Sequence, residues 1–405
     1  MRHRLVVPTL VAVVTAVVSG WAELTSYLWT DYEQANEVPF RALVHGDFAT
    51  FFHAAPIEGP SLLMRAPFAF SAWLWNAGDM AIYRMTSVPG LMAAVVFAVV
   101  LWEIRHRRFP QARWGILTVL LVAGNPLLLH ALDIGHPEEM VGAVLCVGAI
   151  LAALSNRPWL AAVLLGLALG NKAWAVLAIG PVLLALPRRR GAVLLLSCAI
   201  GAAFVAPFLL VAHSSQSAVL SAGDTAGVFQ PWQLWWPLGD HGHVIHGFFS
   251  DKPGYRAAPA WIAPVTHPLI AALVVPASIA WWWRHRGRTS SPDVLLLAAF
   301  LFLARCVLDA ANNGYYHLPF LMCLLAWETL RRERPPVLTA IASGVVWLTI
   351  KQAQHWATPD VQWAIYMTWT IPVLVALGYA AFRGTYAISR SPTAATSATR
   401  TPAPA

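Results

Sequence analysis

Twelve apolar runs follow one another along this chain, at 5–24, 86–104, 114–131, 139–155, 158–170, 173–187, 191–212, 265–283, 292–308, 317–330, 336–350 and 361–382. A helix needs about 20 apolar residues to cross the hydrocarbon core of a bilayer, and inside it every backbone N–H and C=O must find its partner within the segment. Repeated this often, the pattern leaves one architecture: an all-α, polytopic integral membrane protein with about 12 transmembrane helices. Composition agrees. Hydrophobic residues are 58% and charged residues 11% of the chain, against about 25% charged in soluble domains, and the mean hydropathy is +0.59. A water-soluble enzyme, a disordered chain and a nucleic-acid binder are thereby excluded, despite the net charge of +8. The 20 Trp and 29 Pro suit interfacial anchors and broken helices. A single transmembrane domain is expected over 1–388, with the Ser/Thr/Ala/Pro-rich stretch 389–405 as a disordered cytoplasmic tail.

The first run follows Met1-Arg2-His3-Arg4, as a signal peptide would, but Glu23 and bulky residues replace a small-residue cleavage site, so it reads as a retained helix. The stretch 158–187 is either one long helix or two short ones joined at Asn171-Lys172. Cytoplasmic loops carry the excess of Lys and Arg. Two helices give 19 basic residues inside and 8 elsewhere, with both termini cytoplasmic; one helix gives 11 inside and 15 outside, with Lys172 in mid-membrane. The two-helix reading is preferred, and it places Asn171-Lys172 toward the outer leaflet. Fifteen of the 19 acids then fall on the outer side, although acids played no part in the choice. The outer face carries two long loops, 25–85 and 213–264, and nearly all the reactive side chains. The four cysteines, Cys146, Cys198, Cys306 and Cys323, lie in apolar runs and form no CxxC pair, which reads as packing.

The candidate residues come from these outer segments. Asp31, just after the first helix, is placed to act as a general base near the membrane surface, or is a solvated juxtamembrane acid or helix cap. Glu33 and Glu37 are four apart and can share a helix face; Asp47, after Gly46, is a second acid or a turn residue. This outer segment ends with Ser61-Leu62-Leu63-Met64-Arg65-Ala66-Pro67-Phe68. The turn Asp133-Ile134-Gly135-His136-Pro137-Glu138-Glu139 packs four ionisable groups between apolar helices, costly unless they meet water, each other or a ligand. Lys172 is one of only three lysines and lies between two short apolar helices. A lone ammonium there needs an anion, with a phosphate the natural partner and snorkelling to headgroups the alternative. Trp232, Trp235 and Trp236 suit stacking on a sugar or prenyl chain, or an interfacial belt. His241, His243 and His246 superficially resemble metal ligands, but no further paired motif supports a metal. Arg305, Tyr316 and His317 lie in a polar, aromatic turn, where Arg305 and His317 are candidates to hold a phosphate.

Four of these features together resemble the GT-C glycosyltransferases, polytopic membrane enzymes that take a sugar from a polyprenyl-phosphate donor. They are the acid in WTDYEQA followed by LVHGDF, the acidic turn GHPEE, the segment LLGLALGNKAW and the turn NNGYYHLPF, within residues 20–330. The resemblance implies an inverting transfer to an acceptor hydroxyl on the extracytoplasmic side of a bacterial plasma membrane. Asp31 would be the catalytic base. Glu33, Asp47, Arg65, His136, Glu138, Lys172, Trp235, Arg305, Tyr316 and His317 would contact substrate. A lipid or glycan is the implied acceptor and mannose the favoured sugar. No cofactor is expected; a divalent cation is possible, but the family's paired acids are replaced here by Asp31-Tyr32-Glu33. A transporter or flippase is the alternative class; it needs internal symmetry, and no second broken-helix pair matches 158–187. A non-catalytic scaffold leaves the two long outer loops unexplained.

Overall fold

The computed structural model describes residues 2–26, 32–54, 59–74, 78–111, 113–211, 228–240, 256–285 and 291–383. Asp31, the histidines at 241, 243 and 246, and the tail at 389–405 lie outside the described residues. About 83% of the described residues are helical. Among the described residues, seven helical stretches are long and apolar enough to cross a membrane, and three shorter apolar helices accompany them.

Helix α1 covers Arg2–Ser26. After a π-helical turn at Glu33–Glu37 come α2 (Val38–Val44), α3 (Phe48–Ala54) and α4 (Gly59–Leu74). Much of the first outer segment is therefore helix rather than loop. Its last residues, 79–85, belong to the 30-residue α5, Asp79–Arg108. Ile82 and Tyr83 are buried, which extends the packed face of α5 beyond its apolar run, and Asp79 complements the positive end of the helix. Then follow α6 (Gly115–Ala123), α7 (Pro126–Asp133) and α8 (Pro137–Leu154). Asn125 caps α7 by accepting the Leu127 N–H at 3.0 Å, and prolines open α7 and α8, where no N–H is needed. Helix α9 (Pro158–Asn171) ends at Lys172, which is extended (φ −150°, ψ 136°). A 3-10 turn (Ala173–Ala178) and α10 (Ile179–Ala185) follow, then α11 (Arg190–Val211).

The second outer segment contributes a two-residue strand pair among the described residues, β1 (Val228–Phe229) antiparallel to β2 (Arg256–Ala257), with Val228 opposite Ala257. The chain ends with α12 (Ile262–Arg284), α13 (Val294–Leu308), a 3-10 turn at Gly314–His317, α14 (Leu318–Arg331), α15 (Val337–Trp347), a π-helical turn at Leu348–Gln352 and α16 (Pro359–Arg383).

Helix α8 is central: 72% of its apolar stretch is buried, against 22% in α1, α11, α12 and α16. The outer helices turn Val7, Val18, Trp21, Leu195, Val275 and Val375 outward. That exposure suits lipid and would be a liability in water. One large core joins most of the helices, and a small second cluster gathers Phe229, Trp236, Ile262 and Ala310. Ser197 ties α11 to α9, its hydroxyl 3.0 Å from the Ala162 carbonyl.

The two ends of the bundle differ in chemistry. At one end, Arg105 is buried and donates to the carbonyls of Arg332, Glu333 and Arg334 at 3.2, 2.6 and 2.8 Å. Buried Glu328 there accepts the N–H groups of Leu338 and Thr339 at 3.1 and 2.9 Å and the Thr339 hydroxyl at 2.7 Å. Asp293 pairs with Arg331 at 2.7 Å. These contacts close the turns between helices. The other end holds the turn before α8, the break at Lys172 and the turn after α13.

Candidate functional site

The turn into α8 brings His136, Glu138 and Glu139 to the N-terminus of a largely buried helix, where the helix dipole favours a carboxylate. Gly135 makes the turn with φ +93°, and a side chain there would start 2.8 Å from the Tyr32 Cβ. Tyr83 donates to the Leu132 carbonyl and anchors the turn from α5.

Three cations converge on this acid pair from separate segments. From α4, Arg65 Nη2 lies 3.3 Å from Glu138 Oε2. At the break after α9, Lys172 Nζ is 3.2 Å from Glu138 Oε1 and 3.6 Å from Glu139 Oε1. From α13, Arg305 packs its guanidinium over Trp174 at 5.2 Å and Tyr316 at 4.3 Å. Its Nε is 3.5 Å from Asp309 Oδ2. His136 Nδ1 is 2.7 Å from Glu138 Oε1, and its ring stacks on Tyr315 with centroids 5.1 Å apart. Trp174 Nε1 donates to Glu139 Oε1 at 3.4 Å, and Asn171 donates to the Glu138 carbonyl at 2.8 Å.

The cluster is largely buried: the side chains of Arg65, Glu138 and Arg305 are 3%, 1% and 6% exposed, and Lys172 and His136, at 15% and 13%, keep partial access to its surface. Its described members include three cations (Arg65, Lys172, Arg305) and three carboxylates (Glu138, Glu139, Asp309). Several buried polar atoms nevertheless lack a hydrogen bond, among them Arg65 Nε, Arg305 Nη1 and Glu139 Oε2. Such groups are expensive in a low-dielectric interior, and unused donors on two of the cations are what an anion would take up. Asp309 lies just past α13. Burial pushes its carboxyl up, but the hydrogen bond from His267 and the Arg305 charge hold it below the ordinary carboxylate range. His267 Nε2 is 3.3 Å from Asp309 Oδ1.

Of the residues singled out from sequence, Arg65, His136, Glu138, Lys172, Arg305 and Tyr316 therefore share one cluster. Glu33, Asp47, Trp235 and His317 sit elsewhere, and Asp31 lies outside the described residues. Glu33 is exposed on the π-helical turn. Asp47 is exposed and accepts the Thr50 N–H at 3.0 Å, opening α3; bonding to Thr50 holds its carboxyl below the ordinary range. His317 is buried, its Nδ1 3.0 Å from the Gly314 carbonyl and its Nε2 2.8 Å from the Tyr366 hydroxyl. Trp235 donates to the Leu308 carbonyl at 2.7 Å. Its neighbours do likewise: Trp232 donates to the Asn312 carbonyl at 2.7 Å and Trp236 to Asp360 at 2.8 Å. The Trp-rich segment is thus clamped on the turn after α13 and the start of α16. Arg256 reinforces the clamp by stacking over Trp236 at 4.1 Å and pairing with Asp360 at 2.7 Å.

Sequence reading did not select Glu139, Trp174, Asn171, Asp309 or His267 for the site. Signals existed for some of them: Glu139 doubles Glu138, Trp174 follows Lys172 by two, and His267 is an ionisable residue in an apolar run. Gly142 went unnoticed because its role is steric. A Cβ there would lie 2.9 Å from Asn171 Nδ2 and 3.0 Å from the Trp174 ring. Gly142→Ala is expected to push both away from the acid pair, at about 1–3 kcal/mol. A lowered Tm of the purified protein in detergent would register this; an unchanged Tm would contradict the packing.

Among the described residues no group of three His, Cys, Asp or Glu side chains is placed to hold a metal ion. Comparison of the chain with known protein families, with characterised proteins and with solved structures finds no match. What the fold itself defines is a helical membrane protein with a buried ionic cluster at one end of the bundle.

Proposed function

We propose that the chain is a membrane glycosyltransferase that moves a sugar, with mannose the favoured candidate, from a polyprenyl-phosphate donor to an acceptor hydroxyl. One observation carries the reading: Arg65, Lys172 and Arg305 arrive from three segments at a single, largely buried cluster, with aromatic walls and unused N–H groups. A lipid phosphate suits such a place, because its chain remains in the bilayer while its charge meets fixed cations. The leaving group is a weakly basic phosphate and needs no general acid. The acceptor hydroxyl needs a base, and Asp31 is assigned that role by its position after the first helix. Attack at the anomeric carbon breaks its bond to the phosphate oxygen, inverts that carbon and transfers the hydroxyl proton to the carboxylate. The transition state is oxocarbenium-like, as in other glycosyl transfers.

In this reading the twelve apolar runs all span, both termini are cytoplasmic and the cluster faces outward in a bacterial plasma membrane. The acceptor is a lipid or a glycan. The test is transfer of radiolabel from polyprenyl-phosphate mannose to a membrane-lipid extract by the purified protein in liposomes. Wild type is expected to form a labelled product. Asp31→Asn is expected to lose about 10²–10⁴-fold in rate. Full activity in that variant would remove Asp31 from the role of base. Failure of wild type across a panel of lipid-phosphate sugars would remove the enzyme reading.

A second reading keeps one specific observation. The chain breaks at Lys172 between two short apolar helices, beside a buried ionic network, as chains do at substrate sites of secondary transporters. Uptake of a labelled anion into sealed proteoliposomes, without chemical change, would favour it.

A further inference from the structure

The turn between α8 and α9 and the turn between α10 and α11 come together at the end of α8 away from Glu138 and Glu139. Arg189, in the second of these turns, holds its guanidinium over the ring of Trp159, in the first turn of α9, at 5.5 Å. Each turn closes through a non-glycine residue in the left-handed region, Asn156 at φ 53° and Arg189 at φ 62°. Asn is among the residues that tolerate this conformation, whereas Arg adopts it at a cost. The strained position is the one whose side chain reaches across to Trp159.

Four arginines gather on these two turns. Arg157, Arg188 and Arg189 are exposed, and Arg190 is half-buried, its Nε donating to the Leu186 carbonyl at 3.0 Å. Acids to offset them are lacking. From Met140 to Gly223 the chain contains no Asp or Glu, and neither α9 nor α11 has an acid in its first turn. Among the described residues, Arg157, Arg188 and Arg189 have no carboxylate partner. Elsewhere in the bundle Arg107 pairs with Glu103 at 2.6 Å and Arg331 with Asp293 at 2.7 Å. The same two helices also carry exposed apolar side chains just beyond the arginines: Trp159, Leu160 and Val163 on α9, and Leu195 on α11.

We propose that the turns at 155–157 and 187–190 form a binding site for the headgroup of one anionic phospholipid. The phosphodiester meets the guanidinium groups, the Trp159 indole lies at the level of the headgroup, and the acyl chains run along the apolar side chains. A free phosphate ester would satisfy the same arginines, but only a lipid also covers Leu160, Val163 and Leu195. The length of α8 separates this site from the cluster of Arg65, Lys172 and Arg305, and the inference does not depend on sugar transfer.

The test is retention of lipid by the full-length protein in detergent, counted by native mass spectrometry with equal amounts of dioleoylphosphatidylglycerol and dioleoylphosphatidylcholine. Wild type is expected to retain phosphatidylglycerol preferentially, and added salt should erode the preference. The double variant Arg188→Gln/Arg189→Gln should bind phosphatidylglycerol about 30-fold more weakly and phosphatidylcholine as before, because each arginine near an anionic lipid contributes about a fivefold factor. Both side chains are exposed, so the core is untouched. Trp159→Leu keeps every charge but releases Arg189, and should weaken phosphatidylglycerol binding by about two- to fivefold. Equal retention of the two lipids by wild type overturns the proposal, and that result needs no variant. So does unchanged phosphatidylglycerol binding in the double variant, or an equal loss in Arg107→Gln/Arg108→Gln, which would mean that the arginines act only through total charge. Glycerophosphoglycerol, the headgroup without its acyl chains, binding as tightly as the lipid would assign the patch to a soluble phosphodiester and overturn the lipid site.

Discussion

Glu138→Gln should destabilise the folded protein by about 3–5 kcal/mol, because it leaves buried cations without their counter-charge. Glu138 is fully buried, and Arg65 and Lys172 both face it, within 3.3 Å. Arg65 is buried in α4, with its side chain 3% exposed. The direct measurement is thermal unfolding in detergent, which should show a strongly lowered Tm. A second substitution distinguishes charge from packing. Arg65→Met in the Glu138→Gln background removes the surplus cation and should recover part of the loss. A double variant as unstable as the sum of the two single variants would mean that the pair does not interact.

Glu328→Ala should cost about as much, roughly 3–5 kcal/mol, by a different mechanism. Glu328 is buried at the opposite end of the bundle and accepts two backbone N–H groups and one hydroxyl at the start of α15. The first turn of a helix has no internal acceptors for its N–H groups, so this carboxylate supplies them from α14. Removing it strands buried donors and detaches α15 from α14. Accelerated hydrogen exchange confined to 336–350 is the expected signature. Exchange as slow as in wild type would show that another acceptor takes over. The Glu328 contacts lie at the opposite end of the bundle from the proposed phosphate cluster, so that stability measurement stands apart from the transfer assay.

Much of the helical framework was legible in the chain. Hydropathy over about 20 residues decides whether a segment prefers hydrocarbon to water, and that is a local property. The break at Asn171-Lys172 was legible too, because one lysine between short apolar runs is expensive wherever it lies. The first outer segment has the composition of a loop, yet its described residues are largely helix. Its helices are short and packed from one side, as with buried Pro39, Phe40 and Leu43 in α2, so they leave no long apolar run. The Trp-rich segment was read for its aromatic faces, while the structure employs its indole N–H groups on the backbone of the turn after α13. No residue pattern announces which end of an indole will be used. Trp235 was considered for sugar stacking and is a docking contact on Leu308.

By itself the amino-acid sequence determined the class of protein and which segments carry charge at which end of the bundle. Those follow from the cost of placing each side chain and each peptide group in hydrocarbon, a sum over neighbours in the chain. Only the tertiary structure decided that Arg65, Lys172 and Arg305 meet one acid pair, that Glu139 Oε2 is buried without a hydrogen bond, and that Gly142 leaves room for Asn171 and Trp174. Those facts depend on helices far apart in the chain approaching within a few ångströms, and the energy of an ion pair changes steeply over that distance.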